Sequence, residues 1–112
     1  MSILAEWTAD TFESRVTGAG MPVLVGFWAT GCESCEMVAR MLEQVAGEFA
    51  GRALVVRLRR ADARNFTRQF GIESLPTVAV FNGLTLVDQR EGVWPLWAYR
   101  EMLERALVAY TV

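Results

Sequence analysis

Cys32 and Cys35 are the chain's two cysteines, separated only by Glu33 and Ser34. On a helix, residues three apart share a face, with Cβ atoms about 5–6 Å from each other. A disulfide needs Cα atoms about 4.4–6.8 Å apart, so this pair could close and open with little rearrangement. The loop such a bond encloses is too short to remove much unfolded-state entropy, which makes it a poor staple. A reversible dithiol that exchanges electrons is the chemistry that fits the spacing.

What the chain lacks narrows that chemistry further. It has no histidine, and all 11 of its basic residues are arginines. A histidine base, a histidine metal ligand, a Schiff-base lysine and a P-loop lysine are therefore excluded. Two thiolates do not complete the four-ligand shell of a structural zinc site, so one chain is expected to hold no metal and no cofactor. A metal reading survives only for a dimer in which two cysteine pairs share a metal or iron–sulfur centre.

A length of 112 residues fits a single domain, 1–112, and 53% apolar with 21% charged residues fits an ordinary globular protein. A net charge of −2 and a pI near 5.1 offer no attraction to nucleic acid or to an anionic membrane. No apolar run approaches the roughly 18 residues of a membrane span. The start, Met1–Glu6, lacks a basic leader. A soluble, cytoplasmic protein is expected, without nucleic-acid or membrane partners.

The elements that must position the cysteines can be read in order. A strand is expected at Ile3–Glu6, then a helix over 10–17, with Asp10 and Glu13 as a capping signal and Gly18-Ala19-Gly20 as its end. Val23–Trp28 is an apolar run suited to a strand covered on both faces. A helix follows from Cys32 to Phe49, with Val38, Met41, Leu42, Val45 and Phe49 as its buried stripe. Ala53–Leu58 is a strand and 63–70 a shorter helix, with Asp62 as N-cap and Gly71 just past its end. Thr77–Phe81, Asn82-Gly83 and Thr85–Arg90 read as a hairpin. The last helix starts near Trp94 with Pro95 in its first turn, and presents Leu96, Tyr99, Leu103, Leu107 and Tyr110 on one side. The order β-α-β-α-β-α-β-β-α predicts an α/β fold, a mixed central sheet flanked by helices on both faces. Met37, Met41, Trp7, Trp94 and Trp97 are assigned to packing.

With these elements in place the chain resembles the thioredoxin family over essentially its whole length. The residues that carry the resemblance are Phe27-Trp28-Ala29, Cys32 and Cys35, Leu75-Pro76-Thr77, and Gly92 after the hairpin. It implies the thioredoxin fold, Cys32 as exposed nucleophile, Cys35 as the more buried resolving thiol, and a cis peptide bond before Pro76 packed against the pair. The chain departs from the family pattern Trp-Cys-Gly-Pro-Cys-Lys, reading Gly31-Cys32-Glu33-Ser34-Cys35-Glu36. Gly26 stands where the family carries a buried aspartate that handles the proton of the buried thiol.

Around the cysteines, the helix N-terminus favours a thiolate at Cys32, whereas the carboxylate of Glu33 opposes it. Thr30 and Glu33 also fit a capping box, so Glu33 has a structural reading as well as a chemical one. Arg57, Arg59 and Arg60 fall at or after the carboxyl end of the third strand, where open sheets bind ligands. They read either as a solvated charge run or as cations, Arg59 or Arg60, that offset Glu33 and help recognise an acidic partner. Trp28, Gly31, Leu75, Pro76, Gly92 and Val93 form the expected docking rim; Trp28 also reads as core beneath the motif. Ser34 and Gly26 complete the set of residues expected to modulate the site.

The function this predicts is thiol–disulfide exchange with disulfide-containing proteins, the chain being re-reduced by a reductase such as thioredoxin reductase. The alternative is a binding or adaptor module of the same fold with slow or idle cysteines.

Overall fold

Every residue of Val23–Trp28 except Gly26 is bulky and apolar, and such a strand is stable only with both faces covered. In the computed structural model, which describes residues 4–110, this segment is β2, the centre of a five-stranded sheet. Strand β3 (Leu54–Arg59) lies parallel on one side of it, and β4 (Thr77–Asn82) antiparallel on the other. The short β1 (Ala5–Trp7) pairs parallel with β3, and β5 (Thr85–Glu91) pairs antiparallel with β4, giving the order β1-β3-β2-β4-β5. This is the thioredoxin fold, a mixed sheet flanked by four helices.

Alternation along β2 divides the core in two. Leu24 points to the face covered by α2 (Glu33–Glu48) and α4 (Leu96–Ala109), packing with Val38, Leu42, Val45, Tyr99 and Leu103. Val23, Val25 and Phe27 point the other way, toward α1 (Ala9–Gly18) and α3 (Arg64–Gln69). There Phe12 meets Phe66 and Phe81 at ring-centroid distances of 4.6 and 5.1 Å in edge-on geometry. With both faces filled, the carboxyl end of β2 is held rigidly against the start of α2.

Several local expectations are corrected. The N-cap of α1 is Thr8, not Asp10, and its hydroxyl meets that of Thr11 at 3.1 Å. Asp62 does not cap α3; it sits in a 3-10 turn, Arg60–Asp62, and takes two hydrogen bonds from Arg59, leaving Ala63 as N-cap. The hairpin turn is Gly83-Leu84, because Asn82 stays in the strand opposite Thr85 and donates from Nδ2 to the carbonyl of Ala106. Helix α4 begins at Leu96 with Pro95 as N-cap, and its buried stripe runs through Ala98, Tyr99, Met102, Leu103 and Ala106. Leu96 and Leu107 lie at the margin of that stripe. Met37 and Trp97, expected to pack inside, are 50% and 56% exposed. The first strand begins at Ala5, and Ile3 lies outside the described residues.

Candidate active site

The chain leaves β2 through Ala29-Thr30-Gly31, and Gly31 takes φ 81°, a backbone conformation that costs other residues about 1–2 kcal/mol. That turn delivers Cys32 in an extended conformation to the head of α2, where it is the N-cap. The backbone N–H of Cys35 donates to Cys32 Sγ at 3.1 Å, so the sulfur satisfies one of the helix's free donors. The expected capping box is thereby corrected: Thr30 lies before the N-cap, and Glu33 is the first helical residue. Ser34 places its hydroxyl 3.5 Å from the same sulfur.

Cys32 and Cys35 are joined by a disulfide, with Cα atoms 5.2 Å apart. Their surroundings differ: Cys35 is 3% exposed, whereas Cys32 is only half-buried. An approaching sulfur therefore meets Cys32 first. The partial positive charge of the α2 N-terminus favours negative charge at that position.

Opposite the cysteines runs the loop into β4. The Leu75–Pro76 peptide is cis, and Pro76 is buried against the site. Gly92, at φ 82°, donates its N–H to the carbonyl of Pro76 at 2.8 Å. Thr77 Oγ1 donates to the carbonyl of Ser74 at 2.6 Å, so the loop is held at both ends. Val93, beyond Gly92, is 45% exposed, and Leu75 is half-buried against the α1–α3 core.

The arginines separate into different environments. Arg59 pairs with Asp62, and Arg60 donates to the carbonyl of Glu73 at 3.1 Å; neither pairs with Glu33, which corrects the expected offset. Asp62, in the turn after β3, engages Arg59, and the carbonyl of Glu73, in the loop before β4, engages Arg60. Arg57 is buried, 7% exposed, with its guanidinium carbon 4.0 Å from the centroid of the Trp28 ring. It lies 3.5 Å from Glu36 of α2 and 4.0 Å from Glu6 of β1, and Glu6 also accepts from Trp28 Nε1 at 2.8 Å. Sequence reasoning passed over Glu6 and Glu36 because only the β1–β3 register and the α2 packing bring them to Arg57. The one signal available was that an arginine inside an apolar strand needs counter-charges.

Gly26 faces α2 from beneath the pair, and a Cβ there would lie 2.8 Å from Leu42 Cδ1. A cavity of about 10 Å³, roughly the room one water needs, is lined by Gly26, Trp28, Cys35, Arg57 and Pro76 among others. The structure thus brings together Gly26, Trp28, Cys35, Arg57 and Pro76, with Cys32, Glu33 and Ser34 at the helix head. Chemically, the arrangement is a bonded pair of sulfurs, one reachable and one sheltered, beside a fixed backbone edge.

A family model described as Thioredoxin matches residues 3–104. The chain is similar to Thioredoxin 1 of Nostoc sp., 36% identical over 107 residues that cover 96% of this chain and 100% of that protein. It is 34% identical to a thioredoxin of Synechocystis sp. over the same shares of both chains. It is also 38% identical to an M-type chloroplast thioredoxin of Chlamydomonas reinhardtii, over 88% of this chain and 70% of that protein. Among the described residues no helix is long and apolar enough to cross a membrane.

Proposed function

This chain belongs to the thioredoxin family and is a thiol–disulfide oxidoreductase, and we propose that Cys32 is its attacking thiol and Cys35 its resolving thiol, acting on disulfide-bonded proteins. The observation that carries the assignment is the unequal burial of the two sulfurs at one helix head. In the reducing direction Cys32 thiolate attacks a substrate disulfide, forming a mixed disulfide and releasing one substrate thiolate, which takes a proton from solvent. Cys35 then attacks Cys32 Sγ; the Cys32–substrate bond breaks, the second substrate thiol leaves, and the Cys32–Cys35 disulfide forms. Two electrons pass to the substrate, and a reductase such as thioredoxin reductase returns them.

The docking surface in this reading is Trp28, Gly31, Leu75, Pro76, Gly92 and Val93. Its support is the exposure of Gly31, next to Cys32, and of Val93, next to the Gly92 that tethers the Pro76 backbone. The cytoplasm, where thiols are kept reduced, is the compartment in which this cycle runs toward reduction.

Trapping tests the assignment. A Cys35→Ser variant is expected to accumulate mixed disulfides through Cys32, and a Cys32→Ser control to accumulate none. Equal capture by the two variants, or no capture by either, overturns the assigned order and favours a docking module.

A further inference from the structure

Three of the chain's 11 arginines, Arg60, Arg64 and Arg68, line one open pocket of about 320 Å³ together with the exposed Glu73. Two further lining residues, Thr67 and Ile72, are buried and have their donors engaged. Thr67 donates its N–H to the carbonyl of Ala63 and its hydroxyl to that of Arg64, and Ile72 donates its N–H to the carbonyl of Thr67. A ligand entering here is therefore met by guanidinium groups. Arg64 and Arg68 stand one turn apart on a face of α3, and no carboxylate among the described residues lies within ion-pairing distance of either. Asp62, two residues before Arg64, is held by Arg59. Like charges at this spacing work against a helix of only six residues, a cost that a bound anion removes. Arg60 spends one N–H on the carbonyl of Glu73 at 3.1 Å and keeps its other donors.

This pocket adjoins the exchange site through the chain itself. Glu73 is followed by Ser74, Leu75 and Pro76, a stretch that spans at most about 11 Å. Pro76 in turn lines the same small cavity as Cys35. The connecting loop is tethered, because the carbonyl of Ser74 accepts from Thr77 Oγ1 at 2.6 Å and Ser74 Oγ donates to Glu91 at 3.0 Å. The arginines thus keep a fixed place relative to the disulfide.

We propose that Arg60, Arg64 and Arg68 form a subsite for an acidic segment of the disulfide-bearing partner, a run of aspartate or glutamate near the cysteine that Cys32 attacks. The subsite rests on the exchange function proposed above and names the class of protein that function favours. Guanidinium forks match carboxylates through paired N–H donors. Cations borne by two elements, with the Cβ atoms of Arg64 and Arg68 about 5–6 Å apart, suit several carboxylates on one chain better than a single phosphate. An extended partner covers about 3.3–3.6 Å per residue, which places its acidic run roughly three to six residues from the reactive cysteine. Exposed charges of this kind act mainly on the rate of encounter. Glu73 is the one repulsive group in the pocket.

Two disulfide-bonded peptides test the subsite, identical except that one carries a run of glutamates at that distance and the other glutamines. The reduced protein is mixed with each, and the second-order rate of disulfide reduction is followed. At low ionic strength the glutamate peptide is expected to react about fivefold faster or more, the preference shrinking as salt is added. Combining Arg64→Gln with Arg68→Gln is expected to abolish the preference while the rate on the glutamine peptide stays as it was; Glu73→Gln is expected to enlarge it. Equal rates in the parent, or a preference that survives the double variant, overturns the subsite. The oxidised protein gives a readout free of electron transfer, in which the amides of residues 64–68 are followed by NMR as either peptide or inorganic phosphate is added. Shifts with the glutamate peptide and not the glutamine peptide support the subsite, whereas shifts with phosphate alone overturn it in favour of a free-anion site. Shifts with the glutamate peptide but reduction of neither peptide would support the subsite and count against the exchange function instead.

Discussion

Gly26 and Arg57 stand opposite each other on β2 and β3, so the residue with no side chain adjoins the site's buried cation. Gly26→Asp would put a carboxylate into that space, but its Cβ meets Leu42 Cδ1 at 2.8 Å and the leucine must shift. Overpacking of this kind costs about 1–3 kcal/mol, so the urea midpoint is expected to fall. The new carboxylate would also enter the cavity that Cys35 lines, so the Cys35 pKa of the folded variant is expected to rise. A variant as stable as the parent would mean that Leu42 has free room.

Glu33 follows Cys32 directly and opens α2. A negative charge there works against a second one on the sulfur. Glu33→Gln is expected to lower the Cys32 pKa by about half a unit and to make the protein less reducing, because the reduced thiolate gains stability. Equilibration with glutathione measures the potential. Because Glu33 is exposed, the difference should shrink as salt is added.

Gly92 holds the Pro76 carbonyl from a backbone position, φ 82°, that suits glycine. Gly92→Ala is expected to lose about 1–2 kcal/mol of stability in denaturant unfolding. It should also slow reduction of a protein disulfide while leaving the Cys32 titration in place, since the helix head is untouched. A parallel change in thiol pKa would argue against this division.

Glu48 at the end of α2 accepts two 2.7 Å hydrogen bonds from Arg100 of α4. The hydrogen bonds from Arg100 and Gln44 hold its carboxyl at about 2, below the ordinary 4.5. A lowered folded-state pKa means the pair stabilises the fold above the ordinary value and loses that contribution as pH falls from there toward about 2. Glu48→Gln is expected to flatten the acid side of the stability curve within that window. Thermal unfolding at stepped pH values gives the comparison; equal slopes for parent and variant would show the pair to be thermodynamically silent.

The parts of the fold legible in the sequence are those with a strong period or punctuation. The α2 stripe of Val38, Leu42 and Val45 and the β2 run could be read directly, because bulky side chains repeat at helix or strand spacing. The α4 stripe is legible in part: Tyr99 and Leu103 lie on it as expected, but Ala98 and Ala106 are buried and too small to mark a face, while Trp97 is large and lies outside it. The two sulfurs were legible from spacing, and the cis bond before Pro76 only through the family resemblance. The Glu6–Arg57–Glu36 cluster was not legible, since its members come from three elements joined only by strand register and helix packing. Arg59 and Arg60 mislead because charge proximity along the chain says nothing of the Asp62 carboxylate and the Glu73 carbonyl that engage them.

Cys32 Sγ is the N-cap acceptor of α2 and, in the cycle proposed above, also the atom that bonds the substrate. A mixed disulfide on that sulfur is therefore expected to weaken its bond from the Cys35 amide. Deuterium uptake at this single amide would act as a gauge of catalytic state, slow in the resting disulfide and faster while a captured protein occupies the sulfur.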